Sequence, residues 1–366
     1  MIGFIFLLYA IIVGWLILAK KPMQEDVVSN HWEPVSIIIA YRNEIDNLEG
    51  LIKGIENQSI INKRWEVILV NDHSTDGSFE FVQQLVKDSK LIVQHINLTD
   101  GEGKKAAISL GVKCAQYELI VCTDADCKFH FNWLETMIQP FVKPGVKMVL
   151  GAVRLIGSKG WFQKLQEIEF SSLMAMTILT CRRKRAIMSN GANYAFRKTA
   201  FNESDAYSSN STVNTGDDVF LLHSFKRKFG KSCILFLEKE NSVVNTATKN
   251  SFSSFFEQRI RWASKSKSYK DLDTLKIGVI IFLANLSVLW IFLGSILQLY
   301  SLQFFLGCFL FKWLLDLLLI QQLPLFIRPK AIVKWTFLLS ILYPFYSVGI
   351  ALLSLFHRPQ WKGRKI

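Results

Sequence analysis

Residues 277–299 contain no charged side chain, and three further stretches, 2–19, 301–323 and 335–356, are nearly as apolar. A helix needs about 20 such residues to cross a bilayer, so these runs assign both ends of the chain to a membrane and leave the middle to fold in water. Lys20 and Lys21 follow the first run instead of basic residues preceding it. That order argues against a cleaved signal peptide. It predicts a retained anchor over 1–21 with the next domain on the cytosolic side. The C-terminal membrane region is expected over 275–357. Three full crossings there would put the basic tail 358–366, with Arg358, Lys362, Arg364 and Lys365, outside, against the positive-inside rule. The run containing Pro344 is therefore expected to be re-entrant or interfacial, since an internal proline frees a helix carbonyl. Lys312 and Asp316, four apart, share one helix face. They read either as a structural pair buried between helices or as the polar lining of an acceptor path.

The formal charge is +13, and much of the excess flanks the apolar runs, as in Arg182-Arg183-Lys184-Arg185 and in Arg328, Lys330 and Lys334. Such placement suits anionic headgroups, and with no nucleic-acid motif present it disfavours a nucleic-acid partner. The six cysteines show no paired CxxC spacing, which points to reduced structural thiols.

The middle, 33–270, has three short apolar runs rich in β-branched residues: 35–40, 65–70 and 118–123. Helical patterns separate them; in the first, Leu48, Leu51, Ile52 and Ile55 share a face. Alternation of this kind predicts an α/β domain with a mostly parallel, Rossmann-like sheet. Ligands on such sheets bind beyond the carboxyl ends of the strands. Polar clusters follow all three: Tyr41-Arg42-Asn43-Glu44, Asn71-Asp72-His73-Ser74 and Asp124-Ala125-Asp126. Two carboxylates one residue apart at a strand end can hold Mg²⁺ or Mn²⁺ against diphosphate oxygens; a solvated turn is the bland alternative. Asp72 can accept from uracil N–H or ribose hydroxyls, while Ser74 or Asp76 can cap the next helix. Gly101-Glu102-Gly103-Lys104-Lys105 is a weak phosphate cradle. The Walker A, HExxH and GxSxG patterns are missing, which disfavours P-loop, zincin and serine-hydrolase chemistry.

Together these clusters resemble the family 2 glycosyltransferases of the GT-A fold, in particular the membrane-bound ceramide-glucosyltransferase-like and polysaccharide-synthase-like members. The resemblance runs from about Pro34 to the C-terminus. It implies donor contacts from Tyr41, Glu44, Asp72, Lys104 and Asp124, and a metal held by Asp124 and Asp126, with Asp126 the direct ligand. Asn190-Gly191-Ala192-Asn193 is similar to the family's NGAN segment and implies donor-sugar contacts at Gly191 and Asn193. Thr215-Gly216-Asp217-Asp218 is similar to its T-E-D region, with Asp217 in place of Glu and Asp218 as the base. Helix capping is the alternative role for the two aspartates. Gln258-Arg259-Ile260-Arg261-Trp262 matches Q-x-x-R-W, implying diphosphate contact from Arg261 and an acceptor-side Trp262. On a helix Gln258, Arg261 and Trp262 share a face. Trp361-Lys362-Gly363-Arg364 resembles a tail motif of the lipid-glycosylating branch.

The function implied is inverting transfer of a sugar from a nucleotide-sugar, a UDP-sugar first, to a membrane lipid or lipid-linked acceptor. A glycan acceptor and a processive polysaccharide synthase are the alternatives within chemistry. The implied setting is the bacterial inner membrane, multi-pass, with the catalytic domain cytosolic. The stretch Trp161–Thr180, ending in the basic cluster, is expected to lie at the membrane surface. A non-catalytic scaffold on the same fold leaves both Asp motifs and QxxRW without a purpose. A small transporter leaves the large polar domain without one.

Overall fold

The computed structural model describes residues 2–21, 33–60, 64–87, 89, 91–157, 160–207, 216–357 and 360–365. Thr215 of the T-G-D-D segment and Arg358 of the tail lie outside them. In chain order the elements are α1 (Ile2–Ile17), β1 (Val35–Tyr41), α2 (Ile45–Glu56), β2 (Trp65–Asn71), α3 (Ser78–Leu85), β3 (Val93–Asn97), α4 (Lys104–Cys114), β4 (Leu119–Cys122), β5 (Lys128–Phe129), α5 (Trp133–Ile138), β6 (Met148–Leu150) and β7 (Val153–Ile156). There follow α6 (Trp161–Arg182), β8 (Tyr194–Arg197), α7 (Lys198–Ser204), α8 (Asp217–Phe229), β9 (Ile234–Phe236), β10 (Val244–Ala247) and α9 (Phe252–Ser264). The chain ends with α10 (Leu272–Ile296), α11 (Leu302–Ile320), α12 (Ile332–Phe356), β11 (Gln360–Trp361) and β12 (Arg364–Lys365).

A seven-stranded sheet runs β3-β2-β1-β4-β8-β6-β9. The β1–β2, β2–β3 and β1–β4 pairs are parallel, and β8 runs antiparallel to both its neighbours. Ile37, Ile38 and Ile39 of β1 and Val67, Ile68 and Leu69 of β2 are all fully buried. Burial on both faces explains why these strands read as continuous apolar runs and not as alternations. Leu48, Leu51, Ile52 and Ile55 of α2 supply one covering layer. The chain turns to one side of β1 for β2 and β3 and to the other for β4, so the strand order reverses between β1 and β4. A crevice opens at the carboxyl ends of strands at such a reversal. A second sheet, β5-β10-β7, closes one side of it.

Helices α10, α11 and α12 are long and apolar enough to cross a membrane; α1, with 16 residues, is shorter. Its length is about 24 Å at 1.5 Å per residue, below the roughly 30 Å of a hydrocarbon core. Pro344 does not interrupt α12, which runs unbroken for 25 residues. The α/β domain nevertheless touches the loop before this helix, its middle and its C-terminal end. Arg154 of β7 donates to the Phe326 carbonyl ahead of it at 3.0 Å. Lys267 donates to the Leu355 carbonyl at 3.1 Å, and His357 pairs with Glu257 of α9 at 2.9 Å. Midway, Tyr346 stacks on Phe255 of α9.

Lys312 pairs with Asp316 at 2.7 Å, and Asp316 also accepts from the Tyr9 hydroxyl of α1. The structural alternative fits this pair, which fastens α1 to α11. The 182–185 cluster is likewise committed to protein partners more than to solvent. Arg182 forks onto Glu238 at 2.7 and 2.6 Å, Arg183 donates to the Trp15 carbonyl at 2.8 Å, and Arg185 pairs with Asp273 at 2.6 Å. Arg183 and Arg185 clamp the junction of α1, α6 and α10, and Arg182 ties the end of α6 to the segment after β9.

Candidate active site

The crevice holds a cavity of about 350 Å³. Its polar floor is built from the ends of β4, α4, α8 and α9. Lys104, the first residue of α4, reaches across the sheet and places its Nζ 2.6 Å from Asp124 Oδ1, 2.8 Å from the Gly191 carbonyl and 3.5 Å from Asp217 Oδ2. Burial alone would lower its pKa, but Asp124 and Asp217 outweigh that and hold the ammonium above its ordinary value. Asp124 is pushed up to about 6, first by burial and against the pull of Lys104. Asp126 is held loosely, by Thr246 Oγ1 at 3.2 Å and Cys127 Sγ at 3.8 Å.

A divalent cation fits this pair on the chemistry of its donors. Both are hard carboxylate oxygens, and Asp124 Oδ2 and most of the Asp126 lone pairs carry no protein partner among the described residues. No third His, Cys, Asp or Glu joins them among those residues, so other coordination positions fall to a ligand or water.

Asp217 and Asp218 open α8 immediately after Gly216, whose φ of +84° only glycine adopts without strain. Asp217 Oδ2 accepts the Tyr194 hydroxyl at 3.1 Å and faces Lys104, so it is committed to the floor. Asp218 Oδ1 accepts its neighbour's amide, Val219 N–H, at 2.8 Å and lies 4.0 Å from Lys265 Nζ. Neither aspartate is the N-cap, which is Gly216. Burial raises the Asp218 carboxyl above its ordinary value, with Lys265 opposing the rise. Lys265 follows Arg261 by four residues, a spacing that could have flagged it.

Arg261, Gln258 and Trp262 of α9 line the cavity, as the shared-face reading requires. Arg261 has no carboxylate within ion-pairing distance among the described residues. Burial lowers its pKa, and the Asp124, Asp217 and Asp218 carboxylates oppose that. Arg259, between the motif positions, is buried instead and bonds Glu169 of α6. One wall is apolar: Phe170, Leu173, Met174 and Thr177, three and four apart along α6, with Met188 and Trp262.

Two of the residues expected to contact the donor, Asn193 and Tyr41, bond the scaffold with their polar atoms. Asn193 is fully buried behind the wall. Its side chain donates to the Ala152 and Ser242 carbonyls, both at 2.8 Å, and accepts from Trp133 Nε1 at 3.0 Å, so both amide protons and one oxygen lone pair are spent on the scaffold. Tyr41 is buried at the end of β1, with its hydroxyl 2.6 Å from His95 Nε2, and does not line the cavity. Gly191 does line it. A Cβ there would meet Lys104 Nζ at 2.6 Å. Gly191→Ala is expected to push the ammonium aside and lower turnover by up to about 10²-fold while the melting temperature holds, since only a flexible side-chain end must move. Steady-state kinetics beside thermal unfolding checks this.

Glu44 and Asp72 meet a partner that local sequence patterns do not reveal. The chain's last residues fold over them as the β11–β12 hairpin. Lys362 Nζ lies 2.9 Å from Glu44 Oε1, and Arg364 NH1 lies 3.2 Å from both Asp72 oxygens. Asp72 also accepts from Gly103 N–H at 3.2 Å and contacts His73 Nδ1 at 3.0 Å.

Residues 36–204 match the model of Glycosyl transferase family 2. A poly-beta-1,6-N-acetyl-D-glucosamine synthase of Staphylococcus aureus is 28% identical over 158 residues, which is 43% of this chain and 37% of that protein. The same-named synthase of Staphylococcus epidermidis is 22% identical over 295 residues, 77% of this chain and 69% of that protein. The match to the S. aureus protein thus spans little more than a third of its length. A mannosyltransferase of Pyrobaculum calidifontis, solved with GDP-Man and Mn²⁺, superposes with a TM-score of 0.62 at 18% identity, over 97% of this chain and 96% of that one. That likeness establishes the fold, a GT-A domain with apolar helices. The family match covers β1 to α7, so residues 36–204 fit the family 2 glycosyltransferase model.

Proposed function

We propose that the chain transfers a sugar from a nucleotide-sugar to a lipid or lipid-linked acceptor by single-step inversion. The observation that carries this is the convergence of Lys104, Arg261, the Asp124/Asp126 pair and Asp218 on one cavity with an apolar wall. The acceptor hydroxyl attacks the anomeric carbon opposite the departing diphosphate, and Asp218 takes its proton. Lys104 and Arg261 hold the leaving group, pre-aimed in a site from which water is partly excluded. Asp124 and Asp126 would hold Mg²⁺ or Mn²⁺, which when bound neutralises charge developing on the diphosphate. Asp217 fixes Lys104 and takes no proton from the acceptor.

The lipid acceptor is supported by the apolar face of α6, which forms one cavity wall while α6 itself packs against the membrane helices α11 and α12. Contacts of the α/β domain with the loop before α12 and with the middle and C-terminal end of α12 support an in-plane or re-entrant course for this helix. The tail then stays on the catalytic side, and the basic loops and tail all face the cytosol. A processive synthase is the second reading, favoured by the Staphylococcus relatives. Incubating purified enzyme with UDP-, GDP- and dTDP-sugars and membrane lipids, read by mass spectrometry, tests both. A singly glycosylated lipid supports transfer to lipid, and a polymer made from donor alone supports the synthase.

Metal use carries its own pH dependence. Asp124 takes up a proton near pH 6, so a cation must compete with that proton below this value. Apparent Mn²⁺ affinity is expected to hold above pH 7 and to fall by about tenfold per pH unit well below pH 6. Titration of Mn²⁺ by electron paramagnetic resonance checks the slope. Full turnover in excess EDTA would remove the metal from the proposal.

A further inference from the structure

We propose that Lys265 is a further catalytic residue, which holds the attacking oxygen of the acceptor hydroxyl while Asp218 takes its proton. The inference deepens the sugar-transfer reading of the cavity and rests on it. Helix α9 ends at Ser264, and Lys265 opens the 3-10 turn that follows, Lys265–Ser268. Its side chain is only 11% exposed and lines the cavity. The stem gets there by crossing Gly216, the residue before the two aspartates of α8. A Cβ on Gly216 would lie 3.1 Å from Lys265 Cδ. A bare backbone at Gly216 thus serves the reach of Lys265 as well as the turn.

The distances set this lysine apart. Other lysines inside the molecule close directly onto carboxylates: Lys104 on Asp124 at 2.6 Å, Lys226 on Asp271 at 2.8 Å and Lys312 on Asp316 at 2.7 Å. Lys265 Nζ stops 4.0 Å from Asp218 Oδ1, beyond hydrogen-bond reach, and donates no hydrogen bond among the described residues. A buried ammonium without an acceptor is unfavourable; burial lowers its pKa, and Asp218 opposes the fall. Asp218 is unfinished in the same way, because Oδ1 takes Val219 N–H with one lone pair and keeps another. An oxygen about 2.7 Å from both atoms completes them. The angle at that oxygen is roughly 95°, within the spread of hydrogen-bond directions at a hydroxyl. An acceptor hydroxyl fills the slot with every direction assigned. Its O–H points at Asp218, one lone pair accepts from Lys265, and the other faces the anomeric carbon. As the new O–C bond forms, the O–H bond breaks toward Asp218, and the bond from the anomeric carbon to the diphosphate breaks with its electron pair on the diphosphate. Lys265 keeps its protons throughout. Its fixed charge stabilises the negative charge that develops on the attacking oxygen.

The test uses the full-length enzyme in detergent with Mn²⁺. Two nucleophiles are followed: water, read as hydrolysis of UDP- and GDP-sugars, and the hydroxyls of a total polar lipid extract, read by mass spectrometry. For the nucleophiles that the wild type uses, K265M is expected to lower kcat by about 10²–10³-fold, the usual loss on removing one donor to developing charge. UDP and GDP Kd should change less than about twofold, and the unfolding midpoint should not fall. K265Q, which keeps an N–H donor without the charge, is expected to lie between. K265M/D218N should lose no more than D218N alone, because the two groups act on one oxygen. Asp217, Lys104, Lys105, Arg261, Tyr207 and Tyr269 also surround the pair, so the comparison is made across the pH profile, where the K265M deficit should persist. A deficit that vanishes as pH rises would make Lys265 only a charge partner of Asp218. A matching loss of UDP or GDP affinity would make it a donor ligand, and unchanged kcat would leave it a structural residue. Each of these results overturns the proposal. A wild type that consumes no sugar donor with either nucleophile overturns the sugar-transfer reading together with it, so the two failures separate.

Discussion

Asp218→Asn is expected to lower turnover by about 10²–10⁴-fold, the usual contribution of a general base, while donor affinity stays near the wild-type value. The variant keeps the size of the side chain, and its amide oxygen can still accept the Val219 amide that Asp218 Oδ1 accepts at 2.8 Å. The start of α8 should therefore survive. What is lost is the ability to take a proton. Asp217→Asn is expected to act differently. Asp217 bonds the Tyr194 hydroxyl at 3.1 Å and faces Lys104 at 3.5 Å, so its loss loosens the lysine and weakens donor binding more than it slows proton transfer. Turnover and nucleotide affinity measured on both variants separate the roles. A reversed pattern assigns the base to Asp217, and two active variants remove the base from this helix end. Because burial raises the Asp218 carboxyl, the acid limb of kcat/KM should lie above the range of an exposed aspartate and should disappear in Asp218→Asn.

Elements were legible in the sequence where their physical cause is local. The β1, β2 and β4 runs are continuous because both sheet faces are covered, and α2 shows its buried stripe. The three-residue β6 and β9, and the polar β3 with its Gln94, His95 and Asn97, are too short or too mixed to show a period. The Gly101–Lys105 segment reads only as a weak phosphate cradle, whereas α4 begins at Lys104, and that helix start aims the lysine at Asp124. Motif spacing brought Asp124, Asp217, Asp218, Gln258, Arg261 and Trp262 to one cavity. Spacing cannot say which way a side chain faces. Asn193 and Tyr41 sit at the expected chain positions with their polar atoms spent on the scaffold. Nor can local pattern pair residues across the whole chain. Arg364 meets Asp72 at a separation of 292 residues, and only tertiary structure joins them.

Arg259 shows the same limit from the other side, because it occupies a variable position of the motif and yet carries the larger structural effect. Arg259→Met is expected to destabilise the fold by about 3–5 kcal/mol, the cost of stranding one member of a buried ion pair. Arg259 and Glu169 are both almost fully buried, with Nε 3.0 Å from Oε1 and NH2 2.6 Å from Oε2. The guanidinium also lies over the Phe255 and Trp262 rings at 4.6 and 4.2 Å and donates to Gln258 Oε1 at 2.6 Å. Among the described residues, Glu169 left alone would keep only the Tyr346 hydroxyl, at 3.4 Å, a weak replacement. The double variant Glu169→Met/Arg259→Met removes both charges and fills the space with apolar atoms, so it is expected to recover most of the lost stability. Its activity should not return in step, because Gln258 and Trp262 lose the group that holds them at the cavity edge. Chemical unfolding in detergent across the four-variant cycle measures the first effect, and the acceptor KM measures the second. Equal destabilisation of the single and double variants would mean that packing around the site, and not the unpaired charge, sets the cost.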